Sequence, residues 1–154
     1  GKDFTRVDDY SGPGTLRSGA LCDDQAYRFP TPLQRVDFPV APGQRSSKWV
    51  SVTGDPGGSK GQINYSFRTR SWEKLTVPAG SFDALRVDSN MVLDDSTPFR
   101  NATTCDFTYW YSPTVRGTVK EHRMAQYMEI GTMQGRTPVL NAYYELASFT
   151  SGKL

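Results

Sequence analysis

Apolar and polar residues alternate along the second two thirds of the chain, which is the pattern of half-buried β-strands. The runs 62–77 and 82–93 each place their large apolar side chains on one face of such a strand. Between them lies Pro78-Ala79-Gly80, in which Pro presets φ for a turn and Gly accepts a left-handed conformation. The two runs therefore predict a β-hairpin.

Four further runs show strand-like alternation or the aromatic and Thr content that suits a pleated surface: 48–53, 103–111, 118–130 and 139–149. The pattern of 118–130 also fits a helix, but its neighbours are strands and it contains no helix cap, which favours a strand. The run 139–149 could also form a short helix. Consecutive strands joined by short turns predict an all-β, mostly antiparallel meander, whose twisted sheet forms a half-barrel, a barrel or a sandwich.

The N-terminal third has little clean periodicity. Residues 15–47 contain four prolines, and Pro is poorly tolerated inside helices and central strands. We expect mainly loops there, with a short edge strand or one helical turn as an addition, so that one or two strands could precede residue 47. Residues 1–14 are polar and end in Gly-Pro-Gly, which predicts a flexible lead-in to a single β domain over 15–154.

Composition agrees with this picture and excludes some classes. The chain has 14 Gly and 10 Pro in 154 residues, which favours many short elements joined by turns. Its formal net charge is only +2, from 18 basic and 16 acidic residues, so a nucleic-acid partner is not indicated. No apolar run is long enough for a transmembrane segment.

The two cysteines, Cys22 and Cys105, suggest an oxidising compartment in which they pair. The chain begins at Gly1 rather than Met, which fits a removed signal peptide. A Cys22–Cys105 disulfide would fasten the irregular N-terminal third to the predicted sheet.

Several short motifs occur in an order that resembles a family of uncharacterised β-rich proteins of the bacterial envelope, secreted or periplasmic and sometimes lipid-anchored. Members carry a VPAG-[ST]-F turn, a WY-[AS]-P strand end and a closing YEL-x-S strand. The matching pieces are TVPAGSFDALRV (76–87), TYWYSP (108–113), VKEHR (119–123) and YYELASF (143–149), with FPVAPGQ and Trp49 before them (38–49). The resemblance implies a curved antiparallel sheet akin to the half-barrels of lipoprotein carriers, and it implies no reaction, cofactor or ligand.

Aromatic and Met side chains on the predicted strands form either the core or the lining of a ligand cavity, as curved sheets can hold small apolar ligands. The members of this set are Tyr65, Phe67, Tyr109, Tyr111, Met124, Met128 and Tyr144. Core packing is the more frequent use of such residues.

Catalytic signals are weak. His122 is the only histidine, and a triad would need a nucleophile such as Ser81, Ser112 or Cys105 beside it. No G-x-S-x-G elbow is present, so we expect an exposed strand histidine rather than a base.

Carboxylates give no specific pattern either. The pairs at 8–9, 23–24 and 94–95 lack EF-hand spacing, and one histidine with two paired cysteines cannot form the usual zinc site. We therefore expect no metal and no cofactor. The strand carboxylates that a glycosidase would need are those of Glu73, Glu121, Glu129 and Glu145, but any β protein of this size has several.

The outward face of the run 62–77 carries Arg68, Arg70 and Trp72. Interleaved basic and aromatic groups can hold a single nucleic-acid strand, a carbohydrate or a peptide. Arg stems lying over Trp72 on a solvated face are the simpler interpretation.

These observations favour a non-enzymatic domain of the bacterial envelope. Such a domain would be a monomer that serves as a surface antigen or that binds an apolar ligand or a protein partner. A periplasmic carrier of lipid or lipoprotein cargo and a hydrolase with a site near His122 are the alternatives. An open concave sheet would favour the carrier, and a filled core would favour the first hypothesis.

Overall fold

The computed structural model describes residues 7–20, 26–55, 58, 60–94, 102–128 and 136–151. In these ranges the regular structure consists entirely of strands, with no helix. The strands are β1 (Asp9–Gly12), β2 (Thr15–Ala20), β3 (Ala26–Gln34), β4 (Arg45–Asp55), β5 (Lys60–Val77), β6 (Gly80–Asp94), β7 (Thr103–Ser112), β8 (Gly117–Met128) and β9 (Arg136–Glu145).

Each strand pairs antiparallel with the one before it, so that the spatial order of the sheet is the order of the sequence from β1 to β9. The sheet curls into a half-barrel. The predicted all-β antiparallel meander is therefore confirmed, and the half-barrel is the form that it takes. The run 118–130, for which a helix was the alternative, is a strand over residues 118–128, which lie in β8, and its last two residues are outside the described part.

The predicted hairpin is the long central pair β5–β6, whose register ends at Val77↔Gly80. Pro78 and Ala79 form the turn, and Gly80 has a φ of +132°, a region that favours glycine. The pairing shifts between Thr69 and Trp72, and this irregularity bends the two strands.

The concave side of the half-barrel is filled with side chains. Alternate residues over 63–69 of β5, 85–93 of β6 and 103–111 of β7 point inward and are almost fully buried, as the alternation predicts. The core set is Leu16, Tyr27, Phe29, Leu33, Val36, Val52, Ile63, Tyr65, Phe67, Val87, Met91, Leu93, Cys105, Phe107, Tyr109, Tyr111 and Ala125.

The N-terminal third is more regular than its sequence predicts. Residues 9–12 form β1, so the prediction of a flexible lead-in is wrong there. Residues 15–34 contain β2 and β3, where the sequence predicts mainly loops with one or two strands at most. Pro30 and Pro32 are accommodated because the register skips from Arg28 to Leu33 on the β2 side. On the β4 side, the register pairs end at Arg28. The missing N–H of each proline therefore breaks no ladder pair.

The segment 35–44, between β3 and β4, covers part of the core. Val36 is fully buried, and Phe38 packs edge-on against Tyr111 with ring centres 5.6 Å apart. Its far end is fixed at the bend of β5, where Thr69 Oγ1 donates to Ala41 O at 2.6 Å. In turn, Gln44 N donates to Thr69 Oγ1 at 2.8 Å. This segment places Arg35 inside the half-barrel.

Cys105 is buried in the core on β7, and no cysteine is free in the part of the chain that the structure describes. Its predicted partner, Cys22, lies outside the described residues. The Cys22–Cys105 disulfide therefore stays a prediction.

Candidate functional site

Four charged side chains form a network on the concave side, in which Arg35, Glu121 and Arg123 are buried and the fourth member is half-buried. Arg35 Nη2 donates to Glu121 Oε1 at 2.9 Å, and Arg123 Nε donates to the same oxygen at 3.0 Å. Arg123 Nη2 also donates to Asp8 Oδ2 at 2.8 Å. Two cations and two anions thus alternate, and their formal charges cancel. The network joins the chain before β1, the segment after β3, and β8.

Tyrosine hydroxyls hold the backbone of Arg35 in place. Tyr65 and Tyr109 each donate from Oη to the carbonyl oxygen of Arg35 at 2.7 Å. The side chain of Arg35 donates from Nη1 to Tyr10 Oη at 3.2 Å. A buried carbonyl with two donors is fully satisfied, so the irregular segment can cross the interior without an unpaired acceptor.

The two guanidinium groups lie against aromatic rings. The guanidinium carbon of Arg35 is 4.3 Å from the ring centre of Tyr109 and 5.5 Å from that of Phe107. That of Arg123 is 5.7 Å from the ring centre of Phe107 and 5.0 Å from that of Tyr144. Such cation–π contacts stabilise a charge that has lost its water.

The environment of Glu121 keeps it ionised. Burial opposes the charged form, but attraction to Arg35 and Arg123 outweighs burial and lowers the pKa of Glu121 below its ordinary value. Burial likewise works against the charge of Arg35, yet Glu121 raises the pKa of Arg35 well above its ordinary value. The pair is therefore ionic at neutral pH.

Strand alternation explains why these charges point inward. Val119, Glu121, Arg123 and Ala125 occupy every second position of β8, and all four are buried. A buried charge is costly unless it has a partner and hydrogen bonds, and Glu121 has both. The inward stripe of β8 is thus apolar at its ends and ionic at its centre.

Beside this network lies a cleft of about 390 Å³, bounded by the chain around β1 and by β8 and β9. Small-molecule sites usually measure roughly 300–1,000 Å³. The residues that line the cleft are Asp8, Tyr10, Arg116, Gly117, Thr118, Val119, Lys120, Glu121, Arg123, Tyr144, Glu145 and Leu146. The cleft therefore combines an apolar wall with access to the ion network.

The aromatic and Met side chains that were predicted to form the core or to line a cavity do not all have the same environment in the structure. Tyr65, Phe67, Tyr109 and Tyr111 are all buried in the core cluster. Their rings occupy the concave side, so they form core rather than the wall of the cleft.

The remaining members of that set differ. Met124 is 49% exposed, so its assignment to a core or cavity is wrong. Successive residues of β8 point to opposite faces of the sheet. Glu121 and Arg123 point to the concave side, so Met124 points to the convex side. Tyr144 lines the cleft. Met128 ends β8, but its side chain lies outside what the structure describes.

His122 lies on the convex side of β8. Its ring stacks on Tyr143 with centres 4.0 Å apart and planes at 3°. Its Nε2 is 2.9 Å from Asn141 Oδ1. Thr108 is its register partner on β7, whereas Ser112, a predicted nucleophile, is paired with Gly117. The contacts of His122 are thus with a tyrosine and an amide, neither of which makes it a catalytic base.

A second proposed nucleophile, Ser81, and two of the strand carboxylates have structural contacts. Ser81 Oγ is 2.9 Å from Thr76 Oγ1 across the hairpin. Glu73 Oε2 accepts a hydrogen bond of 2.7 Å from Trp110 Nε1. Glu145 lies 3.4 Å from Lys120, and Glu129 falls outside the described residues.

The described residues contain no cluster of three His, Cys, Asp or Glu side chains that could hold a metal ion. Of the candidate acidic pairs, Asp8 belongs to the ion network and Asp9 lies 3.4 Å from Arg17. The pair at 23–24 and residue 95 are outside the described part. Within the same ranges, no helix has the length and apolarity to cross a membrane.

The basic and aromatic face of β5 is on the surface, as predicted. Arg68, Arg70 and Trp72 are exposed. Arg70 Nε donates to Asp88 Oδ2 at 2.6 Å, and Arg86 Nε donates to Asp88 Oδ1 at 3.1 Å. Asp88 therefore offsets part of the positive charge of this face.

Sequence reasoning missed the ion network as a site. The sequence did indicate that Glu121 and Arg123 point inward, because they alternate along β8 in step with the apolar Val119 and Ala125. For Arg35 no periodic signal existed, since it lies in the irregular segment between β3 and β4.

Comparisons with protein-family models, with curated proteins and with solved structures gave no match to this chain.

Proposed function

We propose that this chain is a non-enzymatic domain of the bacterial cell envelope that binds a small apolar ligand in the cleft between β1, β8 and β9. The envelope location rests on the motifs shared with envelope proteins and on the predicted disulfide. The binding role rests on the cleft itself, a concavity of about 390 Å³ whose lining combines apolar atoms of Val119, Tyr144 and Leu146 with several charged side chains.

The filled interior favours this role over that of a lipoprotein carrier. A carrier would need room for an acyl chain on the concave side, whereas Leu33, Val36 and Ile63 are fully buried there. The cleft suits a smaller ligand. The contacts of His122 offer no support for the alternative of a hydrolase.

A titration with 1-octanol, a small neutral apolar probe, tests the proposal. Two-dimensional amide NMR of the whole chain should show saturable shifts at Thr118, Val119 and Leu146. Thr118→Trp places a large ring in the cleft. It should weaken binding by about tenfold, which corresponds to losing the apolar contact of the ligand with about one side chain. Thr108→Trp, on β7 and outside the cleft, is the matched control.

The absence of saturable shifts would contradict the proposal. Shifts that map to another surface would contradict it too, as would equal effects of Thr118→Trp and Thr108→Trp.

A further inference from the structure

We infer that the ligand of the cleft is an apolar molecule with a carboxylate, that Arg123 binds this carboxylate, and that Asp8 occupies the position in its absence. The inference rests on the proposed function, because it names the chemistry of the ligand at the same cleft. Four observations on Asp8, β1, Arg123 and the cleft wall support it.

Asp8 is an imperfect partner for a buried position. Its Oδ2 accepts a 2.8 Å hydrogen bond from Arg123 Nη2. Its Oδ1 is buried and has no hydrogen-bond partner among the residues that the structure describes. A buried acceptor without a donor carries the full desolvation penalty. The position beside Arg123 therefore accepts a carboxylate, but within the described ranges it leaves one oxygen of the Asp8 carboxylate without a hydrogen-bond donor.

The chain that carries Asp8 is weakly attached to the sheet. It leads into β1, which has only 4 residues and lies at the edge of the sheet. The register of β1 against β2 shifts twice, between Asp9 and Tyr10 and between Tyr10 and Gly12. A short edge strand with an irregular ladder can move without disturbing the rest of the sheet.

Arg123 is held in place without help from Asp8. Glu121 accepts from Arg123 Nε at 3.0 Å, and the guanidinium lies against the rings of Phe107 and Tyr144. Its Nη2 donates to Glu121 Oε2 at 3.3 Å as well as to Asp8 Oδ2 at 2.8 Å. A planar guanidinium that Glu121 and two rings hold in place is preorganised to bind a carboxylate at the position of Asp8.

The cleft supplies surfaces for the rest of the ligand. Tyr10, Val119, Tyr144 and Leu146 contribute apolar atoms to its wall. Once Asp8 is displaced, the lining has three cations, Arg116, Lys120 and Arg123, against the two anions Glu121 and Glu145, and this balance favours an anion over a cation. A carboxylate joined to a short aliphatic or aromatic body matches these groups.

A comparison of octanoate with 1-octanol tests the inference, because the two probes share a chain length and differ in charge. We expect the whole chain to bind octanoate about tenfold more tightly than 1-octanol, the gain of a charge-assisted hydrogen bond. Only octanoate should shift the Arg123 Nε–H resonance.

Asp8→Asn removes the competing charge and keeps the shape of the side chain. It should strengthen octanoate binding by about tenfold, and its effect on 1-octanol binding should be much smaller. Asp9→Asn makes the same change of charge on the neighbouring residue, which does not line the cleft, and should alter neither affinity.

Binding of 1-octanol with no preference for octanoate would overturn the inference while the proposed function stands. Equal effects of Asp8→Asn and Asp9→Asn on octanoate binding would also overturn it. If neither probe binds, both proposals fail.

Discussion

Arg35 and Glu121 meet at 2.9 Å in the interior of the half-barrel although 86 residues separate them in the chain. Their ion pair joins the irregular segment after β3 to the inward face of β8. The meander places β3 and β8 five strands apart, so no backbone hydrogen bond links them. This contact therefore ties two remote parts of the sheet across its concave side.

Glu121→Gln should destabilise the protein strongly. The variant leaves the guanidinium groups of Arg35 and Arg123 buried without their shared anion, and losing one partner of a buried pair costs about 3–5 kcal/mol. Urea denaturation followed by circular dichroism measures the change in the free energy of unfolding. Glu145→Gln, whose ion pair with Lys120 is on the surface, should cost less than about 1 kcal/mol. Equal losses in both variants would contradict the importance of the network.

Stability should fall in acid because of Glu121. Its pKa is lowered in the folded state, and an unfolded Glu has a pKa of about 4.3. Its contribution is therefore present above about pH 4.3 and is lost as the pH falls toward the folded pKa. Free energies of unfolding measured across this range should decline more steeply for the wild type than for Glu121→Gln. Parallel curves would show that other carboxylates dominate.

Two tyrosines should resist ionisation until alkali unfolds the protein. Burial raises the pKa of Tyr65, and it raises the pKa of Tyr109 well above its ordinary value, although Arg35 opposes both shifts. An unfolded Tyr ionises near pH 10, so the stability that these two groups contribute is complete below about pH 10 and is lost as the pH rises. A spectrophotometric titration should show a late step in phenolate absorbance that coincides with unfolding. Tyr109→Phe should reduce this late step, and a reduction of the early step would contradict the assignment.

The predicted Cys22–Cys105 disulfide can be tested by counting thiols. Because Cys105 is buried, the count requires denaturant. We expect no reactive thiol without reductant and both thiols after reduction. Reduction should lower the free energy of unfolding by up to about 4.5 kcal/mol, the value for a long closed loop. Two reactive thiols in denatured but unreduced protein would contradict the disulfide.

Strand alternation predicted the sheet best where each strand pairs along most of its length. The hairpin β5–β6 is the clearest case, since alternate residues over 63–69 and 85–93 are buried as the period of two requires. Alternation failed for β3, where Pro30 and Pro32 argued against a strand. They are tolerated because β3 pairs with its neighbours mainly at its two ends, which a local pattern cannot show.

The candidate site was less predictable than the fold. Alternation along a strand determines which side chains point inward, so the burial of Tyr65 and Tyr109 could be predicted from the pattern of their own strands. The identity of a partner across the concave side depends on how strongly the sheet curls. Arg35 illustrates the limit, because two tyrosine hydroxyls and a distant carboxylate determine its position.

The sequential order of the strands has a consequence for synthesis on the ribosome. Each strand pairs with its predecessor, so backbone pairing can keep pace with elongation, hairpin after hairpin. The ionic contacts cannot, because Asp8 leaves the ribosome 115 residues ahead of Arg123. Asp8 and Arg35 both find their ionic partners on β8. Arg123 pairs with Asp8, and Glu121 pairs with Arg35. The ion network of the nascent domain can thus form only after β8 has been synthesised.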